Sequence, residues 1–305
     1  MAEPSANGNR PVVVVGAHVQ GLFLDVRSVP REGETVLASS FDEPVDGGKA
    51  TNQAVAAARL GAPTSLVTVV GTDERGDRAL EFFAAERIDV RGCFRVEGAT
   101  DVGIVLLPPS RIPAIVTVLD RNRELDAARV REASAIVASA SVVLCALEAP
   151  QEAATAAFEV ARQAGARTIL NPAPAAELDA ELLALTDVLV PNEHEASVIA
   201  GRDGSPAELA GFLVRELPVS VVVVTAGPAG AFVAEADGST KRLPAPRVEA
   251  VDTTGAGDAF IGAFASRLQQ GWPTADAAAY GVKAASISVT RPGTMLSYPT
   301  ASEVL

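Results

Sequence analysis

The chain has 305 residues, is 48% hydrophobic and carries 25 Lys and Arg against 38 Asp and Glu, a formal net charge of −13. That size and apolar fraction can bury a large core and suit one big α/β domain with at most a small appendage. The acidic balance argues against nucleic acid or an anionic membrane as the main partner, and two cysteines, Cys93 and Cys145, are too few for a disulfide framework and suit a cytoplasm.

Residues 1–10 read as a polar tail and 11–305 as the folded unit. The run Val12-Val13-Val14-Val15 before Gly16 lacks alternation, as a parallel strand covered on both faces does. It is far too short for a signal peptide or a membrane span. Residues 22–26 and 34–38 have the composition of shorter strands, separated by the turn signal Pro30-Arg31-Glu32-Gly33. Asp46-Gly47-Gly48-Lys49-Ala50-Thr51-Asn52-Gln53 then runs into a helix over 54–60. Its glycines let the backbone approach a ligand closely, and Lys49 and Asn52 project from the first turn toward whatever binds there. A Walker loop is excluded, because it needs a glycine where Glu43 stands and a Ser or Thr where Ala50 stands. A strand over 65–70 and the loop Gly71-Thr72-Asp73 lead into another helix. Residues 93–96, 102–107 and 114–119 read as further strands, with a turn at Pro108-Pro109. The run from Asp120 to Asp126 reads either as a solvated mixed-charge helix start or as a place where Arg121 or Arg123 meets an anionic group.

Beyond residue 137 strands (142–144, 168–170, 188–190) alternate with helices (151–164, 176–185). This predicts a parallel sheet with helices on both faces and ligands at the carboxyl ends of its strands. Glu148, Asn171 and Pro191-Asn192-Glu193-His194-Glu195 all follow such ends, although Asn192 and Glu195 also fit a plain helix cap with an acidic first turn. A strand over 221–224 precedes Thr225-Ala226-Gly227-Pro228-Ala229-Gly230. The stretch richest in chemistry is Val251-Asp252-Thr253-Thr254-Gly255-Ala256-Gly257-Asp258-Ala259-Phe260. It reads as the end of a strand over 248–251, a glycine-hinged turn, and an apolar helix through Ile261, Phe264 and Leu268. Amides of Gly255, Ala256 and Gly257, with the helix dipole behind them, can hold a phosphoryl oxygen. Asp258 reads as a charge favouring a helix start, or as a general base that removes a proton from a substrate hydroxyl. A helix over 275–289 and the loop Thr290-Arg291-Pro292-Gly293-Thr294 close the chain. Neither His18 nor His194 has metal or triad spacing, and Gly16-Ala17-His18-Val19-Gln20 lacks the Gly-x-Gly-x-x-Gly of a dinucleotide-dependent oxidoreductase.

The segment from Asp252 to Asp258 resembles, without a gap, the signature Asp-Thr-x-Gly-Ala-Gly-Asp of the ribokinase-like (PfkB-type) carbohydrate kinases. Gly47 to Ala54 is similar to that family's Gly-Gly-Lys-Gly-x-Asn-x-Ala, with Ala50 replacing a glycine, and softer matches run in order from Val12 to about Val304. The resemblance implies a three-layer α/β/α ribokinase-like (Rossmann-like) fold, with a small β-sheet lid from about 22–46 and 93–119. It implies transfer of the γ-phosphoryl of ATP to a primary hydroxyl of a sugar, with Asp258 as base and Gly255, Ala256 and Gly257 as anion hole. Gly48, Lys49, Asn52 and Glu148 would hold the sugar, and Asn192, Thr225, Gly227 and Gly230 would meet the nucleotide. Glu195 would hold Mg2+ through water, and Asp252, Thr254, Ser288, Arg291, Gly293 and Ser297 would enclose a K+ ion, several through carbonyls. The uncovered face of a lid sheet favours a homodimer through the lids. One departure stands out: the family's Asn-x-Asp, which grips sugar hydroxyls, falls on Val19 and Gly21. The expectation is that Gly21 opens space, and that His18, Gln20, Arg121 or Arg123 meets a hexose derivative, a nucleoside or an acidic sugar in preference to D-ribose. Ribokinase proper remains the alternative within the family; a non-catalytic sugar sensor is the alternative outside it, and has no need of Asp258 beside an intact glycine turn.

Overall fold

The computed structural model describes residues 10–110 and 114–304. Its strands are β1 (Val12–Val15), β2 (Gln20–Val26), β3 (Ala38–Asp42), β4 (Thr64–Gly71), β5 (Ile88–Val96), β6 (Val102–Leu107), β7 (Ala114–Thr117), β8 (Val142–Ala146), β9 (Arg167–Asn171), β10 (Val188–Leu189), β11 (Val221–Thr225), β12 (Ala231–Glu235) and β13 (Thr240–Leu243). The helices are α1 (Lys49–Arg59), α2 (Glu74–Ala85), α3 (Ala127–Glu132), α4 (Ser134–Ala138), α5 (Gln151–Gln163), α6 (Ala180–Ala184), α7 (Glu193–Ala200), α8 (Pro206–Glu216), α9 (Ala256–Gln269) and α10 (Thr274–Ser288).

Nine strands form one sheet in the order β13-β12-β11-β10-β9-β8-β1-β4-β5. It is parallel from β5 to β11, and β12 and β13 extend it antiparallel. Successive valines of β1 feed opposite faces: Val12 and Val14 join a core with Ala56, Phe264 and Ala278, Val13 and Val15 one with Phe158 and Leu213. Both faces are covered by helices, which is why the strand is apolar throughout. The expected α/β/α layering is thus formed. A separate sheet in the order β3-β2-β6-β7 makes the lid.

Several expected elements shift. The strand expected over 34–38 forms instead at Ala38–Asp42, and residues 93–96 belong to β5, which pairs with β4 at the edge of the main sheet and not in the lid. The strand expected over 248–251 does not form; the segment runs past β13, and Val251 N–H donates to the Val289 carbonyl at 2.7 Å instead of to a ladder. The helix expected over 176–185 shortens to Ala180–Ala184. Of the expected N-terminal tail only Arg10 lies within the described residues, and it is tied down, its guanidinium donating to the carbonyls of Ser139 and Ala164.

One helix contact positions the site. A Cβ on Gly262 of α9 would stand 2.5 Å from the carbonyl oxygen of Gln53 and 2.5 Å from Ala56 Cβ, so α1 and α9 cross with backbone almost against backbone. Gly262 is one turn beyond Asp258, and Ala56 one turn beyond Asn52. The crossing therefore brings the two N-terminal halves together, and α1, which starts at Lys49 and not at residue 54, is long enough to deliver Asn52 and Gln53 there.

Candidate active site

Both helices begin at a left-handed glycine with no side-chain cap: Gly48 (φ 82°) before α1 and Gly255 (φ 72°) before α9. The Lys49 N–H is taken by Glu148 and the Ala256 N–H leans on the Thr253 carbonyl at 3.3 Å, which leaves the other first-turn amides for a ligand. Gly255 is a glycine for two reasons, its positive φ and the Tyr298 hydroxyl 2.6 Å from where a Cβ would be. Gly257 has helical backbone, and a Cβ there would meet no protein atom within 4 Å. The fold does not demand this glycine; the open space in front of it does.

Asp258, in the first turn of α9, is 9% exposed. Its Oδ2 accepts Asn52 Nδ2 at 2.9 Å and its Oδ1 accepts Gln53 Nε2 at 2.9 Å. Gln53 also donates to Asn171 Oδ1 at 3.0 Å, and Asn171 Nδ2 to the Val190 carbonyl at 3.0 Å, which ties the carboxylate to the ends of β9 and β10. Burial raises the Asp258 pKa above the ordinary aspartate value, and the nearby Lys49 charge and the two amides pull against it. Burial likewise raises Glu148, against Lys49, whose backbone N–H donates to Glu148 Oε2 at 2.6 Å. Lys49 itself is pushed down by burial, but the carboxylates of Asp258, Glu148 and Glu195 outweigh that and leave it raised, hence charged. Three acids thus share the field of one lysine at the carboxyl edge of the sheet.

Asn192 and Glu195 form a full capping box on α7, each side chain bonding the other's backbone N–H at 2.8 Å. The plain cap is therefore present, yet Glu195 is also 7% exposed, raised by burial and within the field of Lys49. Asp252 accepts Thr254 N–H at 2.9 Å and Gly293 N–H at 3.0 Å, joining the turn before α9 to the loop after α10. Ser288 and Ser297 hydroxyls donate to the carbonyls of Ala285 and Thr294, and the Arg291 side chain turns away to Glu303 at 2.5 Å. Among the described residues no three His, Cys, Asp or Glu side chains cluster as a metal centre.

A cavity of about 530 Å³ opens beside the α9 turn. Thr253, Ala256 and Gly257 form one end, Phe260, Val282, Ala285 and Val289 an apolar wall, and Thr225, Gly227 and Gly230 contribute the far side. An apolar slot leading away from helix amides is the shape a nucleotide needs, with the base in the slot and the phosphates at the helix start.

These features agree with a family model: residues 9–301 match that of the pfkB family carbohydrate kinases. The chain belongs to that family. This pfkB kinase is 35% identical to the ribokinase of Staphylococcus aureus over 96% of its own length and 98% of the relative's. It superposes on the ribokinase of Thermotoga maritima with a TM-score of 0.88, at 31% identity and covering 96% and 97% of the two chains. On the Arabidopsis thaliana ribokinase complexed with ribose and ATP the TM-score is 0.89, at 27% identity and 97% coverage of each.

The lid hinge differs from what the sequence predicts. Gly21 opens no space: a Cβ there would stand 2.6 Å from the Phe23 ring and 2.7 Å from the Asp46 carbonyl oxygen. His18 and Gln20 are both 0% exposed, His18 beside Thr51 and edge-on to Phe83, Gln20 donating to the Pro44 carbonyl. Arg121 is held by Asp120, Glu124 and the Glu97 carbonyl, while Arg123 is exposed on the short turn 122–124. Gln53 and Asn171 have no role that the sequence motifs assign; the one signal for the first is a glutamine standing in an alanine-rich helix start.

Proposed function

We propose that the protein transfers the γ-phosphoryl group of ATP to a primary hydroxyl of a sugar, and that Asp258 is the base. The observation carrying this reading is the pairing of a buried, doubly amide-bonded carboxylate with uncapped helix amides three residues or fewer away, in front of open space at Gly257. Asp258 takes the hydroxyl proton, the new bond forms between that oxygen and the γ-phosphorus, the bond to the bridging β,γ-oxygen breaks, and ADP leaves. Amides of Gly255, Ala256 and Gly257 face the charge spread over the transferring group. Gly48, Lys49, Asn52 and Glu148 hold the sugar, with Lys49 also neutralising charge between the two substrates. Thr225, Gly227 and Gly230 border the nucleotide, with Asn192, the cap of α7, pinned against Thr225 by an isolated parallel bridge.

Glu195, lifted by burial and within the field of Lys49, fits an Mg2+ held through water, which when bound would offset phosphate charge. Asp252, Thr254 and Gly293 are already drawn together, and a site of one carboxylate and backbone carbonyls suits a K+ ion better than a transition metal; Arg291 and Ser288 enter it only through their main chains. The protein works as a homodimer through its lids, in the cytoplasm. No described helix is long and apolar enough to cross a membrane.

The acceptor is a sugar of the kind ribokinases handle or a variant of it. Gly21 supplies no carboxylate, and the Phe23 ring stands where a side chain at that position would be. A coupled ADP-release screen over pentoses, hexoses, keto-acid sugars and nucleosides tests the reading. It predicts acceptor-dependent ADP release, with D-ribose surpassed by another acceptor; ADP release unaffected by every acceptor would contradict the kinase itself.

A further inference from the structure

Asp46 has none of the roles above, yet it is 2% exposed and sits between the two halves of the site. Its main-chain carbonyl accepts Gly21 N–H at 2.7 Å, where the chain enters the lid. Its carboxylate accepts Thr294 N–H at 3.3 Å, with the Met295 amide turned to the same group. The loop it grips backs the turn before α9: a Cβ on Gly255 would stand 3.0 Å from Thr294 Cβ and 2.6 Å from the Tyr298 hydroxyl. Arg59, at the far end of α1, holds the same loop through the carbonyls of Met295 and Tyr298 and is itself paired with Glu86 at 2.5 Å. Asp46 Oδ1, Thr294 Oγ1 and the Tyr298 hydroxyl are all buried without a hydrogen-bond partner. A carboxylate in such a place costs stability that an apolar side chain would not. Gly47, Gly48 and Lys49 follow directly, so any shift of Asp46 moves the start of α1 as well.

We infer that Asp46 is a positioning residue: its carboxylate holds the 293–298 loop behind Gly255 and so keeps the phosphoryl-binding amides aimed, while its main chain fixes the lid hinge and the start of α1. This rests on reading the turn 255–257 as the phosphoryl site. A side chain that only stabilised the fold would act equally on every ligand. One that aims the amides acts on a transferring-group mimic and spares the rest of the nucleotide.

Calorimetric titration of the whole protein with Mg-ADP, and with Mg-ADP plus fluoroaluminate, separates the two. In wild type, fluoroaluminate tightens ADP binding. Asp46→Ala should lose about ten- to a hundredfold of that tightening, the worth of hydrogen bonds to a charged group, with the Kd for ADP alone changed by no more than about twofold. Asp46→Asn, which keeps an acceptor for the Thr294 amide, should retain most of it. If Asp46→Ala does not fold, Asp46→Ser, too short to reach Thr294, carries the same expectation. Unchanged tightening in Ala or Ser, or equal weakening of ADP and ADP-fluoroaluminate, overturns the proposal alone. A wild type that does not bind ADP overturns the nucleotide reading and the proposal with it.

Discussion

Asn52 Nδ2 and Asp258 Oδ2 meet at 2.9 Å although they are 206 positions apart in the chain, and they do so because α1 and α9 cross at Gly262. Glycine in the middle of a helix ordinarily costs about 1 kcal/mol relative to alanine. Here a Cβ would be 2.5 Å from the Gln53 carbonyl oxygen, and overpacking of that kind costs about 1–3 kcal/mol. The clash wins. Gly262→Ala is expected to lower the melting temperature, and to lower kcat more than it raises either KM, because it moves Asn52 and Gln53 away from Asp258. A more stable variant with full turnover would show that the crossing can relax.

The pH profile follows from burial. Asp258 must be ionised to act as base, and burial holds its pKa above that of an ordinary aspartate. The acid limb of kcat/KM should therefore lie above about pH 4, the value for an unperturbed aspartate, and rise with pH until the carboxylate is fully ionised. His18, pushed down to about 4 by burial, is already neutral well below its ordinary value and adds no step of its own there. A limb centred at or below about pH 4 would mean that Asp258 is solvated or is not the titrating base.

How much of this was legible in the sequence divides along physical lines. The order of layers was, because runs such as Val12-Val13-Val14-Val15 need cover on both faces, and so was the glycine turn that puts Gly255-Ala256-Gly257 and Asp258 at the start of a helix. The hinge was not. Whether Gly21 is a gap or a close contact depends on where Phe23 and Asp46 come to rest, and these are set by packing that no local pattern records. The strand expected over 248–251 failed for a similar reason: valines there look like a strand, but the segment pairs with no strand, and the Val251 N–H is taken by the Val289 carbonyl at the end of α10. Gln53 was hidden differently, as a polar residue whose partners lie 118 and 205 positions away.

Potassium provides a test of the loop joined to Asp252. If Asp252, Thr254 and the 288–297 loop enclose a monovalent ion beside the anion hole, activity in potassium chloride should exceed that in tetramethylammonium chloride at equal ionic strength. Rates that coincide in the two salts would remove the ion from the account.

Assembly should follow from the lid. Leu37 is 85% exposed, Phe41 60%, Ile115 54% and Val116 62%, all on or beside the outer lid strands β3 and β7. Apolar surface of this density on one small sheet favours a partner, here a second copy. Light scattering at micromolar protein should give a dimer, and Phe41→Asp together with Val116→Asp a monomer. A monomeric wild type would rule out the lid interface.

The central claim is that Asp258 removes the proton, and Asp258→Asn measures it. Replacing a charge that burial disfavours with a neutral amide should not lower the melting temperature at a pH above the acid limb of the activity profile, where the wild-type carboxylate is ionised at a cost: a raised folded-state pKa gives stability below the unfolded value that is lost as pH rises through the folded one. The amide can be accommodated, since Asn52 Oδ1 and Gln53 Oε1 are both buried without a partner and either can accept from it after a flip. Turnover with the best acceptor of the screen should fall by about two to four orders of magnitude, with the Kd for Mg-ADP unchanged within about twofold. A folded Asp258→Asn protein that keeps most of the wild-type turnover would contradict the account.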